Sequence, residues 1–191
     1  MSISTRSLVH IALYAALVGA LGLFPRIDIP VAGGVPITAQ TLGVMMAGIM
    51  LGAWRGGLAL VLFLIAVAVG LPLMAGGRGG LGMFFGPSVG FMIGFPVGAF
   101  VAGLIMEHTR RWGVFPAAFT AAILGGIVAV YAIGAPLLAY KTDMTLGQAF
   151  LASAVFLPGD TLKALIAGLV ADFLARGYPS ALMSRSAPSR S

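Results

Sequence analysis

Two ionisable residues of opposite sign stand three positions apart in an otherwise apolar run, Asp160 and Lys163 in Phe156-Leu-Pro-Gly-Asp160-Thr-Leu-Lys163. On a helix that spacing puts both side chains on roughly one face, one turn apart. Pro158 suits a first helical turn, where its missing N–H has no intrahelical partner to lose. Asp160 then falls in the first turn, where the helix dipole favours a carboxylate. Ionisable groups inside a membrane span are costly and by default mark a solute path or site. Two readings compete. Either each residue holds one end of a polar ligand, or the two neutralise each other and Lys163 snorkels to a nearby interface.

Other candidates are fewer and less sharply defined. Gln40 opens an apolar run together with Thr38 and Thr41. It either hydrogen-bonds a ligand or satisfies the irregular backbone before it. Arg78 sits at the centre of a glycine-rich stretch, 71–90, whose freed backbone can approach a ligand closely. Irregular backbone is tolerated at membrane depth only when buried in protein or lining a wet cavity. The stretch lacks the Gly-Lys-Ser/Thr ending of a phosphate loop and the strand–turn–helix setting of a dinucleotide fingerprint. Phe84, Phe85 and Phe91 either wall an apolar pocket or belong to an interfacial aromatic belt. Ala12, Ala16 and Ala20 make a smooth ridge with Gly19 beside it, fit for close helix approach within this chain or to a partner. Gly86, Gly90, Gly94, Gly98 and Ala102 repeat the spacing and are expected to pack on a neighbouring helix.

Several chemistries drop out. Cysteine is absent and histidine is limited to His10 and His108, so no metal-ligand set assembles. Glu107 and His108 fall in a turn read as solvated, with no partner in view. An intramembrane enzyme would need a nucleophile with a base, or a metal, and only carboxylates are on offer. The basic residues lie between the apolar runs and form no patch for nucleic acid.

The elements that must position these residues belong to an all-α integral membrane protein. The chain is 60% hydrophobic and 8% charged, too little charge for a soluble surface at 191 residues. With about twenty apolar residues needed to cross a bilayer, spans are expected at 8–24, 37–53, 58–74, 89–106, 114–138 and 157–174, a compact bundle of six transmembrane helices. Trp54-Arg55-Gly56-Gly57 is read as the tight turn between the second and third. Arg6, Arg55, Arg110, Arg111, Arg176, Arg185 and Arg190 fall on one side, against Arg26, Arg78 and Lys141 on the other. That bias places both termini in the cytoplasm and the Asp160 end outside. The segment 25–36, with its three prolines, is long enough to act as a lid over an outer cavity. Residues 175–191 are expected to form a disordered cytoplasmic tail.

Four stretches together carry a resemblance: Val35-Pro-Ile-Thr-Ala-Gln-Thr-Leu-Gly43, Gly70-Leu-Pro-Leu-Met-Ala-Gly-Gly-Arg-Gly-Gly80, Phe85-Gly-Pro-Ser-Val-Gly-Phe91 with Gly94-Phe-Pro96, and Pro158-Gly-Asp-Thr-Leu-Lys163. In this order and spacing the chain resembles the BioY family, biotin-binding membrane subunits of energy-coupling-factor (ECF) transporters. The middle motif departs from the family's Gly-Pro-Thr-Gly-Gly. The resemblance implies a six-helix capture protein in the cell inner membrane, with Asp160 and Lys163 as the ligand-binding pair. Arg78 is a second possible partner for the biotin carboxylate, and Phe85 and Phe91 suit its apolar parts. The resemblance also implies that the alanine ridge contacts a transmembrane coupling (T) subunit that works with ATPases, or that the chain self-associates if solitary. No cofactor is expected, and ATP would act only through partner ATPases, because the chain has no ATP-binding motif. The alternative is an S subunit for another vitamin or small carboxylate-bearing solute.

Overall fold

The computed structural model describes residues 4–28 and 32–185. Seven helices carry the fold: α1 (Thr5–Leu21), α2 (Gln40–Leu51), α3 (Ala53–Ala68), α4 (Val89–His108), α5 (Val114–Thr142), α6 (Leu146–Ala154) and α7 (Leu157–Gly177). By length and composition α4 and α5 can cross a membrane, and the α6–α7 pair, bent by 55°, makes a third candidate if taken as one span. Helices α1 to α3 are apolar but shorter, at 17, 12 and 16 residues.

The core forms around α2, which is buried on every side from Val44 to Leu51. A helix that is apolar all round belongs inside, and here α1, α3, α4, α5 and α7 enclose it. Small residues allow this tightness. A methyl group added at Gly98 of α4 would lie 2.7 Å from the Gly125 carbonyl oxygen of α5, and one at Gly90 2.9 Å from that of Gly134. The glycine ridge of α4 therefore packs on α5 as expected from Gly90 onward, while Gly86 precedes the helix and makes no such contact. Between Ala122 and Ala129 α5 widens into a π-helical register before returning to α-helix at Val130. Such registers are rare and shift which residues a helix turns inward. Immediately after this one, Val130 and Tyr131 are buried.

Beyond shifts of a few residues at several helix ends, four features depart from the sequence reading. The turn between α2 and α3 is at Gly52 (φ 87°), and the four residues Trp54 to Gly57 are already helical. The reason is a long-range cap: a Glu107 carboxylate oxygen accepts from the Ala53 N–H at 2.9 Å and allows α3 to start at once. Glu107 thus has a partner after all. At its far end α3 stops at Ala68, six residues earlier than expected, before Gly70 (φ 106°) and Pro72. Helix α6, opened by a Thr145–Gln148 capping box, had no counterpart among the expected spans.

The fourth correction concerns the tail. Helix α7 runs on to Gly177, Leu182 is buried, and Ser184 donates from its N–H to the Met50 carbonyl and from its hydroxyl to that of Ile49. Arg185 donates to the Thr109 and Trp112 carbonyls at 3.1 and 3.0 Å. The last carbonyls of α2 have no intrahelical partner, and this strand of chain satisfies them. Residues 186–191 lie outside the described residues. So do 29–31 of the expected lid, whose flanks are joined by reciprocal Ile27–Ile37 backbone bonds.

Candidate functional site

At one end of the bundle, the first turns of α2, α4 and α7 meet the middle of α5 and two loops. They enclose a cavity with about 610 Å³ of empty space, counted to its open mouth. Apolar side chains make most of its wall, among them Phe91, Met92, Phe95, Val130 and Phe156.

Asp160 lies at the buried end, 3% exposed. Pro158 occupies the first turn of α7, as its chemistry predicts, and the Asp160 N–H closes that turn onto the Phe156 carbonyl at 2.9 Å. Lys163, one turn on, reaches back to Asp160 Oδ1 at 2.8 Å. The same ammonium donates to the Thr38 carbonyl at 2.6 Å and to Thr41 Oγ1 at 2.9 Å. An ammonium has three protons, and all three of Lys163's are used within the chain. Thr41 donates its own hydroxyl to Asp160 Oδ1 at 2.9 Å, and the Tyr131 hydroxyl donates to Oδ2 at 2.6 Å. The charged pair is therefore both neutralised and displayed in a cavity, so the two readings of its spacing are not exclusive.

Gln40 also borders the cavity, but its polar atoms are committed. Its Nε2 donates to the Val18 and Leu73 carbonyls at 3.2 and 3.0 Å, and its Oε1 accepts from the Ala75 N–H at 3.2 Å. Of the two roles open to Gln40, the structure realises backbone satisfaction, tying α1 and α2 to the loop after α3. That loop reverses at Gly76 and Gly77, with φ of 81° and 68°, between reciprocal Met74–Arg78 backbone bonds. Glycine accepts such positive φ angles without strain. Arg78 is set at the cavity wall, half-buried, with its Nε donating to the Ala75 carbonyl at 3.1 Å. Burial and the nearby Arg26 push its pKa down, and Asp28 pushes it back up.

Phe91 lines the cavity and Phe85 does not. Phe85 ends a 3-10 turn, Leu81–Phe85, that swings its ring outward to 74% exposure. The wall is instead a triad of nearly perpendicular rings, Phe91, Tyr131 and Phe156, with centroids 5.9 to 6.4 Å apart. Ala12, Ala16 and Ala20 are exposed together along α1, on the side away from buried Ile11, Ala15 and Val18. Among the described residues no group of acids, histidines and cysteines is placed to hold a metal.

A family model for the BioY family matches residues 1–180. The chain belongs to the BioY family. The biotin transporter BioY of Rhodobacter capsulatus is 49% identical over 189 residues, covering 94% of this chain and 98% of its own. That of Rhizobium etli is 47% identical, covering 92% of this chain and 96% of its own. A solved S-component for biotin from an ECF-type ABC transporter is similar at a TM-score of 0.83 and 29% identity, over 92% of this chain and 95% of that one. The resemblance read from the motifs is borne out.

Within this BioY-family fold, sequence reasoning missed Tyr131 and Phe156. The signal for Tyr131 was present. It is the sole tyrosine in the apolar run 114–138, and a buried phenol needs a hydrogen-bond partner.

Proposed function

We propose that this chain captures biotin as the substrate-binding subunit of an ECF-type uptake system. The observation that carries the reading is the buried Asp160–Lys163 pair at one end of an apolar cavity, with Arg78 on its wall. Biotin has matching chemistry: a ureido ring with two N–H donors, an apolar thioether ring and chain, and a carboxylate. Asp160 accepts from the ureido N–H side. The carboxylate meets Arg78, whose terminal nitrogens make no hydrogen bond among the described residues, rather than Lys163, which would first have to release Thr38 or Thr41. The rings of Phe91 and Phe156 hold the apolar part. The task is binding and transport, with no catalytic step and no cofactor.

In this reading α1 to α5 and α7 are six transmembrane helices, with α6 as the bent leading arm of α7. Both termini face the cytoplasm and the cavity faces outward, as the arginine bias supports. The chain resides in the cell inner membrane. The exposed ridge of Ala12, Ala16 and Ala20 is the contact for a T subunit that brings ATPases, or for a second copy if the chain works alone.

Calorimetry on the purified, detergent-solubilised chain tests this reading, with dethiobiotin and riboflavin as comparisons. Stoichiometric biotin binding that weakens at least a hundredfold in Asp160→Asn is the expected result. No biotin binding by folded wild-type protein, or wild-type affinity in Asp160→Asn, overturns the assignment. Preference for riboflavin would point to another vitamin.

A further inference from the structure

A carboxylate offers about four acceptor positions. On its own, an aspartate at the end of a helical turn can rotate and present any of them. Here the positions are almost all filled. Oδ1 takes Thr41 and Lys163, and Oδ2 takes Tyr131. These donors come from three helices, α2, α7 and α5, so the plane of the carboxylate is held from different directions. The Tyr131 ring that aims its hydroxyl is itself wedged edge-on against Phe91 and Phe156, at 83° and 89°. Every proton of Lys163 and the proton of Thr41 point inward to this cluster.

From this geometry we infer that Tyr131, with Thr41, is a positioning and specificity-determining residue, which aims Asp160 so that one acceptor lone pair on Oδ2 stays open to the cavity. This rests on the biotin reading above and deepens it. Every proton of Lys163, Thr41 and Tyr131 is then committed around Asp160, and the cluster turns an open carboxylate acceptor to the cavity. It selects ligands that bring a neutral ring N–H, as a ureido group does, and rejects those that bring only oxygen acceptors. Removing the Tyr131 hydroxyl frees the carboxylate to turn and opens a second acceptor, so affinity and selectivity fall together.

The test is calorimetric, on full-length chain in detergent, with biotin and an analogue methylated on both ureido nitrogens, measured directly or by competition. Thermal unfolding checks that each variant is folded. In Tyr131→Phe the ring triad is kept and the hydroxyl is lost. Hydrogen bonds to charged groups carry about 10- to 100-fold in affinity, and a biotin loss of that order is expected. The preference for biotin over the methylated analogue narrows by a similar factor. Two results overturn the inference: biotin affinity within about twofold of wild type, or an equal loss for both ligands, which marks a residue that only shapes the pocket. If Tyr131→Phe does not purify folded, Thr41→Val removes the other hydroxyl donor and is judged by the same two criteria. A folded wild type that binds no biotin overturns the substrate reading, an outcome distinct from a binding wild type with an unaffected Tyr131→Phe.

Discussion

Replacing Arg78 with Met separates two cations, Lys163 and Arg78, of which the sequence reading places Arg78 second as a partner for the ligand carboxylate. Met retains much of the apolar stem and removes the guanidinium. The turn that carries it keeps its Met74–Arg78 backbone bonds and two positive-φ glycines when the Arg78 Nε bond to the Ala75 carbonyl is lost. A charge-assisted hydrogen bond contributes about 1.5–3 kcal/mol, and a fully exposed ion pair about 0–1 kcal/mol. Arg78 is half-buried, which places its contribution near the boundary, about 1.4 kcal/mol, or tenfold in affinity. The assay is calorimetry with biotin and with biotinamide, the same molecule with its acid converted to an amide. In Arg78→Met the wild-type preference for the acid should shrink about tenfold, with amide binding little changed. Lys163→Met should instead weaken acid and amide by the same factor, because Lys163 spends its protons on Thr38, Thr41 and Asp160 and reaches the ligand only through them. The reasoning fails if Lys163→Met abolishes the acid-over-amide preference while Arg78→Met leaves it intact.

Two further perturbations probe the scaffold. Gln40→Leu keeps the bulk and removes three hydrogen bonds between α1, α2 and the Arg78 loop. Each carries about 1 kcal/mol net, so thermal stability falls and hydrogen exchange quickens at residues 73–78 before it does in α4. Unchanged exchange there would count against Gln40 as the tie. Ala16→Trp on the exposed face of α1 should leave biotin affinity at wild-type level and abolish co-purification with a T subunit, or self-association in a solitary system. Retained complex formation would move the contact elsewhere.

Much of the bundle was legible because lipid leaves few solutions. Apolar runs must be helical to satisfy their own backbone, and glycines every fourth residue on α4 must meet another helix. Gly90, Gly94 and Gly98 duly meet α5. The boundaries were less legible because they depend on remote groups. Gly52 turns the chain where it does because Glu107, 54 positions away from Ala53, caps the next helix, and Ser184 docks on α2 because that helix ends in carbonyls that need partners. No local periodicity encodes either fact.

The site divides along the same line. Asp160 and Lys163 could be singled out from the sequence alone as an acid and a base one turn apart in an apolar run, with ligand binding and mutual neutralisation both left open. Family membership was equally legible, through the order of short motifs. The state of that pair was decided only in three dimensions. Thr38 and Thr41 arrive from α2 and the loop before it, Tyr131 arrives from α5 just past its π-helical segment, and together they exhaust Lys163 and aim Asp160. The exclusion of Phe85 and the commitment of Gln40 were likewise settled by packing. Sequence spacing specifies neighbours within one helix, whereas a carboxylate's free lone pair depends on every donor that other helices bring to it.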